Sequence, residues 1–397
     1  MIHQPVELTI VLLGLVLGVL ELEKSGRAAP VFNYLPSAFW CYFLPVILAT
    51  FGLLPQASPV YDFLTTYILS ACLLLLLLGI NLSSIFRLGP TAVGAMIVGA
   101  LGIAIGAVGS YAIFARWLPP ETWKGVGALS ASWIGGNANM LAVKESIHTP
   151  DAVFAPMVIV DTVVTYSWMG LLIALARWQD RWDIWVRADR RTLDDVNSRL
   201  RSFSENASAQ ERRAQKPVEK LFWGAVFIIG GSLVGAGCLY LGKILPHRGD
   251  VLTTSGWAFL IVTLLGILLS MTPAARLEAH DASRVGYFCL YLLLAAIGSK
   301  ARLQDILQAP LLIVMAYCWV FIHGIILAAY GFAFRIPMFF LVTSSQANIG
   351  GTASTPIVAG IYQPRLAALG LLLAISGNVI GTYAGILIAE ACHWAAR

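Results

Sequence analysis

The sequence predicts an all-α polytopic membrane protein. About ten transmembrane helices are expected, in two inverted five-helix repeats, each with a re-entrant hairpin before its last helix. Three observations predict this. Of 397 residues, 58% are hydrophobic and 12% charged, against about 25% charged in soluble domains. Apolar runs such as CLLLLLLGI do not alternate with polar residues. The spans are therefore helices, which satisfy their own backbone in lipid, rather than barrel strands. Finally, the second half of the chain repeats the pattern of the first.

The N-terminal run LTIVLLGLVLGVL lacks the basic region and cleavage site of a signal peptide, so it reads as a retained first helix at 6–20. Apolar segments follow at 38–54, 61–80, 91–115 and 152–176. After a polar stretch at 177–218 come 219–241, 255–271, 285–299, 310–331 and 365–391. At about 20 residues per span, these supply the ten helices. Two further stretches, 124–147 and 338–361, are interrupted by Gly, Asn, Ser and Thr and read as the hairpins. The first repeat then occupies 1–176 and the second 219–397. Six cysteines are scattered through apolar segments with no CxxC pair, as small buried hydrophobes are.

The joining linker, 177–218, is the most basic loop of the chain, with eleven Lys/Arg between residues 177 and 220. The positive-inside rule places it in the cytoplasm, which leaves the sequon at Asn206 on the wrong side for glycosylation. Trp178, Trp182 and Trp185 recur at helical spacing and predict a helix lying in the membrane interface.

The repeat is read from four matches in the same order. YILSACLLLLLLGINLSSIFRLGP (67–90) matches YFCLYLLLAAIGSKARLQDILQAP (287–310), and Gly135-Gly136 matches Gly350-Gly351. DTVVTY (161–166) matches NVIGTY (378–383), and Trp178 matches Trp394. If the Gly-rich stretches cross fully, each half has six spans and the halves are parallel. If they enter and return on one side, each half has five and the halves are inverted, and charge supports the second. With five spans per half and the linker inside, the cytoplasmic side collects 18 Lys/Arg and the outside eight. An odd number of spans inverts the second half, an arrangement common in secondary transporters.

Two such halves, each with a hairpin tipped by Gly-Gly, resemble the bacterial glutamate–sodium symporters and the 2-hydroxycarboxylate symporters. The hairpin motif there is GGxG; here the last glycine is Ala138 in one half and Ala353 in the other. The longer strings IGGNAN and SQANIGGTAS are similar to a family of bacterial and plastid membrane proteins known as domain of unknown function 819, over nearly the whole chain. The resemblance implies an elevator-type transporter. Helices preceding the hairpins would form a static scaffold and a homodimer interface, while the hairpins and their last helices would move.

A hairpin tip exposes helix N-termini, which favour anions, and unwound carbonyls, which favour cations. Candidate substrate- and ion-binding residues are Ser130, Ser132, Gly135, Gly136, Asn137 and Asn139 in the first half. In the second they are Ser344, Ser345, Asn348, Gly350, Gly351, Thr352 and Ser354, with Gln346 and Thr355 beside them. The competing reading is close helix packing through small residues. Asp161 lies about ten residues into its span, and its repeat mate is Asn378. An intramembrane carboxylate is a functional residue by default, so both are expected as Na⁺ positions. A structural Asp bonded to a neighbouring helix is the alternative.

Thr165, Tyr166, Thr382 and Tyr383 line the same cavity or an interfacial belt. His323 is expected as a neutral packing residue rather than a proton relay. Lys144 and Glu145 steer anions at the hairpin mouth or pair with each other. The GxxxG runs are unremarkable in a chain this rich in glycine.

The expected function is secondary active transport of a small carboxylate-containing anion coupled to Na⁺, or to H⁺, across the bacterial cytoplasmic membrane. A cation/proton exchanger is the alternative. A membrane-embedded enzyme and a membrane scaffold follow behind, since no HExxH, P-loop or nucleophile elbow occurs. No cofactor beyond the coupling ion and no nucleic-acid partner is expected.

Overall fold

The computed structural model describes residues 4–26, 28, 31–32, 35–80, 88–189, 193, 217–246, 253–303, 309–363 and 366–395. Among them the chain is helical, without strands. In the first half α1 is Pro5–Lys24, α2 Ser37–Thr50, α3 Pro59–Leu78 and α4 Gly89–Phe114. Helices α5 (Thr122–Gly135) and α6 (Asn137–Ser146) form the first hairpin, and α7 is Asp151–Leu175. In the second half α8 is Pro217–Ile244, α9 Thr254–Ser270, α10 Ala282–Lys300 and α11 Ala309–Phe334. The second hairpin is α12, Met338–Tyr362, broken at Gly351; α13 (Ala367–Gly377) and α14 (Gly381–Ala395) follow.

Among the described residues, seven helices are long and apolar enough to cross a membrane, and nine segments qualify if each of two bent pairs counts as one span. Two differences from the expected helices stand out. The single span expected at 365–391 is broken between Gly377 and Gly381 and bends by 54°. The Trp178–Trp185 stretch, expected as a separate interfacial helix, continues α7 as one 35-residue element, Asp151–Trp185. Most of the linker, including Asn206, lies outside the described residues.

The helices pack into two bodies. Body one gathers α1, α2, α3, α8, α9 and α10; body two gathers α4, α7, α11, α13, α14 and both hairpins. They meet chiefly where α6 lies on α3 and α9. Packing is reciprocal between the halves: α5 lies on α14 as α12 lies on α7, and α7 lies on α11 as α14 lies on α4.

Helices α4 and α11, expected among the scaffold helices, belong instead to the hairpin body. Helix α4 packs on α12 and α14, α11 packs on α7 and α12, and α4 and α11 cross each other closely. A Cβ at Gly102 would stand 3.3 Å from the His323 Cα, and one at Gly106 would stand 2.7 Å from the Trp319 carbonyl oxygen. Only glycine lets the two helices approach this closely. The GxxxG spacing of Gly102 and Gly106 therefore has a packing role that composition alone conceals.

Candidate functional site

Each Gly-Gly pair divides its work between two residues. Gly136 has φ +82° and ψ 174°, and Gly351 has φ 61° and ψ −156°. Both lie in a backbone region that is essentially glycine-only. The first glycine of each pair serves contact instead. A Cβ on Gly135 would stand 2.7 Å from Gly381 Cα, and one on Gly350 would collide with the side chains of Gln346 and Ser354. Beyond the break the first chain turns back, so that α5 and α6 pack side by side. In the second hairpin Gln346 Nε2 donates to Ser354 Oγ across the break, at 2.7 Å.

The two tips face a common cavity of about 240 Å³ between the bodies. Ser132, Gly135, Gly136 and Asn137 line it from the first hairpin, and Gly350, Gly351 and Thr352 from the second. Asp161, Thr162, Thr165 and Tyr166 of α7 join them, as does Asn378 from the break between α13 and α14. Body one closes the opposite wall with Glu23, Ser37, Phe39, Tyr287 and Tyr291. Carboxylates line this cavity, but no lysine or arginine does among the described residues.

Asp161 is held on both oxygens. Trp133 Nε1 donates to Oδ1 at 2.8 Å, and Ser132 Oγ stands 3.1 Å from Oδ2. The same Ser132 hydroxyl is 3.2 Å from Asn137 Oδ1. One hydroxyl proton thus serves two acceptors, and three oxygens converge at the mouth of α6. Oxygen-rich, proton-poor corners of this kind suit a hard cation. A few residues away, Thr165 Oγ1 donates to the Ile349 carbonyl at 3.1 Å and ties α7 to the second tip.

The other candidates lie behind this wall. Ser130 Oγ bonds within its own helix to Val126 O. Asn139 links the first hairpin to the α13–α14 break, donating to Gly135 O and Asn378 O and accepting from Thr382 Oγ1. Ser354 Oγ donates to Gly350 O, and Asn348 Nδ2 donates to Ser344 O and Met96 O. Ser344 Oγ, Gln346 Oε1 and Asn348 Oδ1 are buried and have no hydrogen-bond partner among the described residues.

Ser345 completes a chain. It accepts from Trp168 Nε1 at 2.9 Å and faces His323 Nε2 at 2.9 Å, while His323 Nδ1 meets the Gly99 carbonyl at 2.9 Å. A carbonyl only accepts, so Nδ1 carries the proton and Nε2 takes the Ser345 hydroxyl. Both ring nitrogens of His323 are thus bonded, and the side chain is fully buried. Ser345→Ala leaves both His323 Nε2 and Trp168 Nε1 unsatisfied. A loss of about 2 kcal/mol is expected, seen as a lower unfolding temperature in detergent; unchanged unfolding would contradict the chain.

Tyr166 and Thr165 line the cavity, whereas Tyr383 donates to Leu260 O on body one and Thr382 is buried. Lys144 pairs with Glu145 at 2.9 Å and with Asp151 at 3.0 Å, which fastens the first hairpin to the start of α7. The second hairpin is fastened by Asp183, whose Oδ1 accepts from Met338 N at 2.9 Å.

The family described as "Protein of unknown function (DUF819)" matches residues 8–394. The chain belongs to it. The chain is also similar to "Uncharacterized membrane protein YjcL" of Bacillus subtilis (strain 168), with 25% identity over 353 residues that cover 86% of each chain. This DUF819 protein is an integral membrane protein, as its relative's name and its apolar helices agree.

Sequence reasoning missed the body-one wall. Glu23 sits in ELEK at a helix end, where charge is ordinary, and Tyr287 and Tyr291 are separated by one helical turn in an apolar span. Their spacing on one face of α10 was the available signal. Trp133, a ligand of Asp161, looked like any apolar residue of the hairpin.

Proposed function

We propose that this DUF819 protein is a secondary active transporter that carries a small carboxylate-bearing anion together with Na⁺, with H⁺ as the alternative coupling ion. One observation carries the reading: two Gly-Gly tips, Asp161 and Asn378 converge on one cavity between two separately packed bodies. The cation site is the corner formed by Asp161, Ser132 and Asn137. The anion site is at the N-termini of α6 and of the second arm of α12, where Gly136, Asn137, Gly351 and Thr352 line the cavity and the positive ends of the helix dipoles favour an anion. The unpartnered oxygens of Ser344, Gln346 and Asn348 offer a further set of cation ligands.

The topology that fits is ten spans, counting the seven long helices, the two bent pairs and the short α2, with both hairpins re-entrant. Ten spans in two halves of five invert the repeat. The first hairpin then enters from outside and the second from the cytoplasm. Trp123 at the start of α5 lies against His393 near the C-terminus, and Asp183 at the linker side caps α12, which supports opposite entry. Sparse packing between the bodies supports an elevator movement of body two against body one, the latter forming a homodimer in the bacterial cytoplasmic membrane. No catalytic step and no resident cofactor is proposed.

The test is a current measurement on proteoliposomes adsorbed to a solid-supported membrane. Jumps to small carboxylates are expected to evoke transient currents that require Na⁺, or an inward H⁺ gradient. Currents evoked by Na⁺ or pH steps alone, with no solute response, favour the exchanger, for which the two cavity carboxylates Asp161 and Glu23 are the supporting observation. Silence under every gradient defeats both.

A further inference from the structure

Away from the transport cavity, a second and larger concavity of about 590 Å³ opens between α7, α11 and α12. Its lining is apolar apart from Arg181 and Ser345. Four indoles, Trp168, Trp178, Trp182 and Trp185, stand along one side, and the guanidinium of Arg181 stands among them. Arg181 is exposed, and among the described residues no carboxylate is paired with it.

We propose that this groove is a binding site for an anionic phospholipid, with one acyl chain in the groove and the phosphate on Arg181. Three observations fit that occupant. An apolar trough of this size at the surface of a membrane protein accepts a hydrocarbon chain. Indoles with one apolar face and one N–H settle at the headgroup level, and Trp182 already spends its N–H on the Ile336 carbonyl, at 3.2 Å, which fixes its ring as wall. Arg181 in this mostly apolar lining, with Arg177 stacked on Trp178 at 4.2 Å beside it, is complementary to a lipid phosphate.

The floor of the groove gives the site a consequence. It includes Met338, Leu341 and Ser345 of the second hairpin's first arm, and Ser345 holds the Trp168–His323 chain. A seated acyl chain therefore buttresses the arm whose far end is the Gly350-Gly351 tip. The competing occupant is the chain's own segment 190–216, which follows Trp185 in sequence.

Delipidated full-length protein in detergent, titrated with dioleoyl phosphatidylglycerol and followed by native mass spectrometry, tests the site. One saturable lipid is expected, held about fivefold more tightly than dioleoyl phosphatidylcholine, as one interfacial arginine implies. Arg181→Gln should remove that preference, and Arg181→Lys should keep most of it. Ala328→Phe, which fills the groove, should weaken both lipids, and inorganic phosphate alone should bind to neither form. Unfolding of each variant without lipid, unchanged from wild type, shows that it is folded. Equal affinity for the two lipids in wild type, or full preference in Arg181→Gln, overturns the proposal. So does full-length protein that takes up no lipid, which is the outcome if the segment 190–216 fills the groove.

Discussion

Gly136→Ala is expected to abolish solute-evoked currents while leaving a folded protein in the membrane. At φ +82° and ψ 174° the first hairpin turns through a conformation that any Cβ opposes. The strain costs about 1–3 kcal/mol. Space is not the obstacle, because the nearest atom to a new Cβ is Asn378 Oδ1 at 3.5 Å, an ordinary contact. The substituted chain therefore escapes by rotating its dihedrals toward helix. That movement carries Asn137 and the N-terminus of α6 away from Ser132 and Asp161, so it empties the corner without unfolding the hairpin.

Gly135→Ala makes the contrast. Its Cβ would stand 2.7 Å from Gly381 Cα and 2.9 Å from Gly377 O. Packing between the hairpin and the α13–α14 break must then open, and the unfolding temperature should fall. Transport together with thermal unfolding, measured on both variants, separates the two roles. Full currents in Gly136→Ala would show that the dihedral is not needed.

Asp161→Asn has the second large expected effect. The amide keeps an oxygen for Trp133 Nε1, at 2.8 Å from the present Oδ1, and presents N–H to Ser132, whose hydroxyl can turn to Asn137. Shape and hydrogen bonding survive, while the negative charge is lost. A cation that relied on this carboxylate loses about 3 kcal/mol or more, on the order of a hundredfold in affinity. Coupled currents should vanish and their Na⁺ dependence with them, while the protein unfolds at nearly the wild-type temperature. Retained Na⁺-dependent current in this variant would assign Asp161 a structural role, as holder of Trp133 and Ser132.

Most of the helices are legible in the sequence because their signals are local. Apolar runs mark the spans, and Gly135-Gly136 and Gly350-Gly351 mark the two hairpins, since the dihedrals that break a helix are chosen by the residues at the break. The break after Gly377 is of another kind. NVIGTY reads as apolar helix, and what accompanies its opening is distant: Asn139 reaches the Asn378 carbonyl, and Gly135 touches Gly381.

The same distinction applies to the cavity. Asp161 announces itself as a charge in an apolar run, and Ser132 and Asn137 lie in the hairpin motif. Glu23, Tyr287 and Tyr291 reach the cavity only because α1 and α10 pack opposite the tips. The membership of α4 and α11 in the hairpin body depends on their packing against α7, α12 and α14, a property of several helices together.

The most direct measurement of the central claim, that the cavity between Gly136 and Gly351 binds a cation and a small carboxylate together, is thermal unfolding of the purified protein. Small carboxylates are screened in Na⁺ and in K⁺, with wild type beside Asp161→Asn. A ligand at a hundred times its dissociation constant stabilises by about 2.7 kcal/mol. Na⁺ should raise the unfolding temperature of wild type, a matching carboxylate should raise it further in Na⁺ and not in K⁺, and Asp161→Asn should lose both shifts. No stabilisation by any ion or carboxylate, or the same shifts in Asp161→Asn, would contradict the claim.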